Sequence, residues 1–135
     1  MLTSFEFAVS YHYGAKGPGL TIPLTISNGN RVVHVDPIID TGASSCIFER
    51  KHADVLGLDV ESGLLCRFRT ATGYFDAYEH TVTLNTLGIE FESPVFFAAD
   101  PTFTRNFVGR RGWLDRIRVA IVHYDQMLYL SPYDS

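Results

Sequence analysis

The sequence predicts a mostly β protein whose strands close, or nearly close, into a barrel. Three observations predict it. Ten phenylalanines and seven tyrosines, with many valines and isoleucines, favour extended backbone. The apolar runs have strand length, and glycine, proline, asparagine and serine separate them. Two short stretches alone have helical spacing, and many short strands of this kind suit a closed or semi-closed barrel.

The elements follow in order. Residues 3–13 alternate loosely and predict a first strand. "GAKGPG", 14–19, is a breaker-rich turn or loop. "LTIPLTI", 20–26, reads as a strand, and "SNGN", 27–30, carries the Asn-Gly signal of a tight hairpin. "RVVHVDPIID", 31–40, is the return strand and delivers Asp40 at its end. "ERKHADVLGL", 49–58, predicts a short helix with Gly57 at its C-terminal cap. "LLCRFRTATGYFDAYEHTVTL", 64–84, reads as strand, turn, strand with Thr72-Gly73 at the tip. "GIEFESPVFFA", 88–98, is a further strand, and Pro94 places it near an edge. "RNFVGRRGWLDRIRVAIV", 105–122, predicts a short strand, a glycine and a helical turn or two whose inner face carries Trp113, Leu114 and Ile117. Two last strands are expected near 118–123 and 126–131.

At 135 residues the chain is expected to be one domain, 1–135, large enough for a real core. A net charge of −4 gives no reason to expect nucleic acid as a partner. The first residues lack a basic segment followed by a long apolar run, so no signal peptide is expected, and no stretch approaches the roughly 18 apolar residues of a membrane span. Cys46 and Cys66 do not make a disulfide framework, and reduced thiols in a cytoplasmic protein are the expectation. His12, His34, His52, His80 and His123 are scattered without metal-ligand spacing, so neither metal nor cofactor is expected. Arg105, Arg110, Arg111, Arg116 and Arg118 read as the solvated face of a short helix plus one structural arginine. Cys46 reads as a buried structural thiol, and Ser44 and Ser45 lack the Gly-x-Ser-x-Gly setting of a hydrolase nucleophile.

The chemistry gathers in "VDPIIDTGASSCIF", 35–48, where an apolar strand ends in Asp40 and continues through Thr41 and Gly42. This arrangement presents a carboxylate at a cleft. Gly42 lacks the Cβ that would crowd the loop and leaves its N–H free to approach the carboxylate. Thr41 supplies a hydroxyl, and Ala43 and Ser44 are small enough to leave room beside the site. A surface turn after a strand uses the same residues, so a second signal is needed. "NFVGRRGWLDRIRV", 106–119, provides it, with two apolar residues and a glycine before the predicted helix.

Asp-Thr-Gly-Ala, a central hairpin and a later apolar-apolar-Gly-Arg, in that order, resemble the retropepsin-like aspartic proteases. The resemblance covers roughly 20–131. It implies a closed barrel with one or two short helices that works as a homodimer on a peptide or protein substrate. It implies Asp40 as the catalytic aspartate, with Thr41 and Gly42 completing the catalytic loop and the Thr41 hydroxyl bracing two such loops against each other. It implies Gly42, Ala43, Ser44, Thr72, Gly73 and Tyr74 as substrate-binding residues, the last three on a flap around 70–76. Phe107-Val108-Gly109 would pack beneath the catalytic loop, and Arg110 would open the helix.

The chain departs from the retroviral pattern in three places. Ser44 stands where retroviral enzymes carry an acid that bonds the later arginine, so Arg110 is expected to bond a backbone carbonyl or another acid. The flap has one glycine, followed by Tyr74. About fifteen residues precede the family's usual start. Peptide hydrolysis by this route needs two carboxylates facing one water, one as base and one as acid. The chain has one Asp-Thr-Gly, and Asp36 precedes Asp40 on the same strand, so the second carboxylate is expected from a second copy. Two readings compete with a peptidase: a catalytically silent dimeric peptide-binding module of the same fold, and a monomeric barrel holding a small apolar ligand.

Overall fold

The computed structural model describes residues 1–17 and 19–134. Its strands run in chain order as β1 (Val9–His12), β2 (Leu24–Asn28), β3 (Arg31–Val35), β4 (Ile38–Ile39), β5 (Ile47–Phe48), β6 (Leu64–Thr70), β7 (Gly73–Thr86), β8 (Ile89–Ala98), β9 (Phe107–Val108), β10 (Ile117–Val122) and β11 (Met127–Pro132). One helix, α1 (Arg50–Val55), follows β5. The larger sheet has the order β3-β2-β7-β8-β5-β9-β4, with β6 paired to β7. The smaller is β1-β11-β10. The large sheet curls back on itself, because the segment leading into β2 bonds to β4. Ile22 N–H donates to Pro37 O at 3.2 Å, and Ile39 N–H donates to Leu20 O at 2.8 Å.

The first predicted strand is shorter than 3–13. Its ladder with β11 runs from Val9↔Leu130 to His12↔Met127, and just before it the Ala8 N–H goes to the Ser131 hydroxyl at 2.8 Å. The breaker-rich stretch 14–19 starts inside a 3-10 turn at Tyr13–Lys16, and Pro18 lies outside the described residues. The β2–β3 hairpin is present, with its loop one residue later than an Asn-Gly turn. Asn28 pairs with Arg31, and Gly29 (φ +62°) with Asn30 forms the loop. Asn28 is held in the strand because its side-chain amide donates to Leu56 O at 3.0 Å. Positive φ at the first loop position then falls on glycine.

The return strand breaks at Asp36-Pro37. Proline offers no ladder N–H and restricts the residue before it. The chain leaves β2 there and joins β9 in parallel, Ile38↔Phe107 and Ile39↔Val108. Helix α1 ends as predicted at Gly57 (φ +71°). Gly57 N–H bonds Asp54 O and Leu58 N–H bonds Ala53 O, the paired bonds of a Schellman ending. The second predicted helix does not form. Residues 112–116 are consecutive turns, because Gly112 takes φ +101° and lies against β8, where a Cβ would sit 2.5 Å from Pro94 O. Trp113 and Ile117 are nevertheless buried, as the inner-face reading expected.

The main core gathers Trp113, Tyr13, Phe48, Phe97, Ile26 and Leu84 with their neighbours. Strand β5 and the last four residues of β8, 95–98, are buried on both faces, so their alternation separates two clusters. Phe48, Val95 and Phe97 face the main core, whereas Ile47, Phe96 and, from β7, Ala77 form a second cluster. Ile47 and the phenylalanines packed against that second cluster, Phe68, Phe75, Phe103 and Phe107, line the cleft described next. Among the described residues no helix is long and apolar enough to cross a membrane.

Candidate active site

Strand β9 lies between β4 and β5 and positions everything that follows. It runs parallel to β4 and antiparallel to β5. The segment 40–46, which joins those two neighbours, must therefore arch over the end of β9. Asp40 N–H donates to Val108 O at 2.9 Å, extending the ladder by one bond. Arg110 N–H and Arg111 N–H then donate to Ala43 O and Ser44 O, each at 3.0 Å. Gly109 sits beneath the arch, where a Cβ would come within 2.5 Å of Ser45 O and 2.6 Å of Ala43 O. Only a residue without a side chain fits.

Cys46 completes the underside. Its sulfur is 3.5 Å from the Gly109 N–H and 3.6 Å from Arg111 O. Burial pushes its thiol up to about 12, with the Gly109 N–H acting weakly the other way. The thiol is therefore a packing and hydrogen-bonding group, not a nucleophile. Arg110 reaches over the arch and donates from Nη1 to Thr41 O at 3.0 Å, so of the two expected partners, a backbone carbonyl or another acid, it takes the carbonyl.

The arch presents Asp40 half-buried, with Oδ1 accepting the Gly42 N–H at 3.0 Å. A Cβ at Gly42 would sit 3.3 Å from that same oxygen. Thr41 is exposed at the crest. A cleft of about 400 Å³ opens beside the carboxylate. Of the candidate residues, Asp40, Gly42, Ala43 and Ser44 line it, while Thr41, Thr72, Gly73 and Tyr74 do not.

The β6–β7 hairpin covers the cleft, but its tip and its facing side differ from the sequence reading. Ala71 and Thr72 make the turn, and Gly73 pairs with Thr70. Thr70 Oγ1 accepts the Thr72 N–H at 3.4 Å and donates to Gly73 O at 3.2 Å. Side chains alternate across a strand, so Phe68 and Phe75 face the cleft while Arg67, Arg69, Tyr74 and Asp76 meet on the other side, although Arg69, with Thr70 and Ala71, also borders the cleft. There Arg67 Nε bonds Asp76 at 2.9 Å and Arg69 Nη2 bonds the Tyr74 hydroxyl at 3.2 Å. The Arg67 hydrogen bond holds the Asp76 carboxyl below its usual range.

Sequence reasoning missed the aromatic wall. Phe68 stacks on Phe75 with centroids 5.3 Å apart and meets the edge of Phe96 at 4.9 Å, and Phe75 meets Phe103 at 4.7 Å. Phe107 and Ile47 extend this wall, and Ser45, Arg69, Thr70, Ala71 and Arg105 also line the cleft. Period two within "RFRT" and "GYFDA" was the available signal, since it puts Phe68 and Phe75 on the face opposite Tyr74. Asp40 is the one carboxylate lining the cleft among the described residues, and no cluster of His, Cys, Asp and Glu there could hold a metal ion.

These features coincide with a known family. The family model described as aspartyl protease matches residues 22–112, a span that holds both the Asp40 loop and Gly109. The chain belongs to that family. Its fold is retropepsin-like. A retropepsin-like aspartic protease from Rickettsia conorii superposes with a TM-score of 0.62 at 21% identity, covering 89% of this chain and 95% of that one. The retroviral protease-like domain of Ddi1 from Leishmania major gives 0.60 at 20% identity, covering 84% and 93%. The EIAV protease complexed with the inhibitor HBY-793 gives 0.52 at 18% identity, covering 76% and 88%. No curated protein sequence matches the chain.

Proposed function

We propose that the protein is an aspartic endopeptidase whose active site forms between two copies of the chain, read as one domain, each contributing Asp40. The observation that carries this reading is the solitary carboxylate. Asp40 stands at the edge of an apolar cleft, fixed by the Val108 carbonyl and the Gly42 N–H, with no second acid lining that cleft among the described residues. A two-fold axis beside the arch supplies the missing partner. One Asp40, ionised, takes a proton from water as the water attacks the peptide carbonyl, and the other, protonated, donates toward the carbonyl oxygen. Two carboxylates sharing one water titrate as a pair.

The remaining residues then take roles. The exposed Thr41 hydroxyls brace the two loops across the axis. The N–H of Gly42 is taken by Asp40, so its carbonyl is the group offered to the substrate backbone. Ala43 and Ser44 shape the floor. The substrate lies extended, bonded like an added strand, under a hairpin whose tip, Ala71 and Thr72 with Gly73 just behind, closes over it. Tyr74 supports that hairpin from its outer side.

The test is to incubate wild type and Asp40→Asn with a diverse peptide pool from acid to neutral pH and sequence the products, with solution mass measured in parallel. Cleavage by a two-chain species, lost in a folded Asp40→Asn dimer, is the expected result. Cleavage by the variant, or by a monomer, overturns the mechanism. Peptide binding without cleavage by wild type would identify a silent binding module.

A further inference from the structure

We propose, resting on the peptidase reading above, that Arg105 selects peptides carrying an Asp or Glu side chain within two positions of an apolar residue at the scissile bond. The cleft offers a wall of phenylalanine rings and, interrupting it, a guanidinium. Arg105 lines the cleft between Phe103 and Phe107, with its guanidinium carbon 5.4 Å from the centre of the Phe107 ring. Stacking of this kind uses the flat face of the group and leaves its N–H edge free to fork onto a carboxylate.

Among the described residues no carboxylate meets that edge, and no salt bridge reaches Arg105 from Asp40 or from any other acid. The neighbouring arginines are engaged elsewhere. Arg67 holds Asp76, Arg69 holds the Tyr74 hydroxyl, Arg110 holds Thr41 O and Arg111 holds Glu79. The segment that carries Arg105 is also anchored on both sides. Asp100 accepts the N–H and the hydroxyl of Thr102, each at 2.8 Å, and its carbonyl accepts the Phe103 N–H. Asn106 O accepts the Ile38 N–H, and its side chain exchanges bonds of 2.9 and 2.7 Å with Glu49. A cation held in place before the ligand arrives loses little on binding. An extended peptide returns its side chains to the same side at every second position. The aromatic wall takes the apolar one, and Arg105, within that wall, takes the acid two positions away.

The experiment uses matched fluorescent peptides, cut from the pool sequences, that carry Glu, Gln or Lys near an apolar residue. With wild type we expect kcat/KM about three- to fivefold higher for Glu than for Gln, carried mainly in KM, as for an exposed charge pair that adds affinity. Arg105→Ala should level the series, and Arg105→Glu should favour Lys. The Glu preference should fade as pH falls through about 4, where the substrate carboxylate takes up its proton. A role confined to loop structure would move none of these. Binding of the same peptides to Asp40→Asn reads the preference without catalysis. Cleavage or binding indifferent to Glu, Gln and Lys, or a preference that survives Arg105→Ala, overturns the assignment. A Glu preference in binding with no cleavage by wild type overturns the peptidase reading and leaves Arg105 as a recognition residue.

Discussion

Replacing Gly109 by alanine tests the arch more sharply than any change to Asp40, because it adds one methyl and removes nothing. That methyl would meet Ser45 O at 2.5 Å, Ala43 O at 2.6 Å and the Ala43 carbonyl carbon at 3.0 Å. All three are backbone atoms, so no side chain can swing aside. The contacts fall about 1 Å short of ordinary separation, and the arch must lift by that amount. Overpacking of this kind costs about 1–3 kcal/mol. Lifting also stretches the bonds from Arg110 and Arg111 to Ala43 O and Ser44 O, for about 1 kcal/mol more. The expected loss is about 2–4 kcal/mol, or roughly 10 °C in Tm for a chain of this size. Asp40 rides on the same arch, so activity should fall by about a hundredfold or more even where the variant is folded. Urea denaturation and peptide turnover measured on one preparation check both numbers. Gly29→Ala is the control. It has a positive φ but nothing within 4 Å, so only backbone strain of about 1 kcal/mol is added. A Gly109→Ala midpoint within about 0.5 kcal/mol of wild type would refute the arch as described.

Gly42→Ala should behave oppositely, with stability within about 0.5 kcal/mol of wild type but turnover reduced, because its Cβ would press at 3.3 Å on the Asp40 carboxylate alone; equal turnover would contradict the placement. Cys46, its thiol pushed up to about 12 by burial, should resist iodoacetamide at pH 8 in the native protein and react once urea unfolds it, as read by mass spectrometry. The hairpin should depend on pH through Asp76. Its folded pKa is lowered by Arg67, so the stabilisation is fully present above the ordinary carboxylate pKa and is lost as pH falls through the lowered one. Carboxyl NMR should show this titration moving upward in Arg67→Ala, and an unmoved titration would remove the pair's role.

Much of this arrangement was legible in the chain. Asp-Thr-Gly after an apolar run, the later Val108-Gly109, the α1 ending at Gly57 and the two hairpins each rest on local chemistry that the fold leaves intact. The misreadings share a physical origin in contacts distant in sequence. Trp113, Leu114 and Ile117 have helical spacing, but Gly112 must press against Pro94 and takes a φ that no helix allows. The Asn-Gly signal slipped by one residue because Asn28 had a better partner in Leu56. The resemblance implied Tyr74, beside the flap glycine, as a substrate-binding residue, but it does not line the cleft. Strand parity gives that position to Phe75, and parity is fixed by the Phe68↔Phe75 register, which no local motif reveals.

The two-sided burial of β5 and β8 has a consequence for how such a protein can change. Ile47 lines the cleft and Phe96 backs the Phe68 ring that lines it, while their immediate neighbours Phe48 and Phe97 look into the main core. One step along the chain thus separates a position that shapes the cleft from one that keeps the molecule folded. Substitutions at the first kind can accumulate and alter what the cleft admits while the second kind stays fixed. A single-residue insertion or deletion in either strand would exchange the two sets. Drift in sequence here should therefore proceed by replacement at constant length, and a library built on Ile47 and Phe96 should yield folded variants far more often than one built on Phe48 and Phe97.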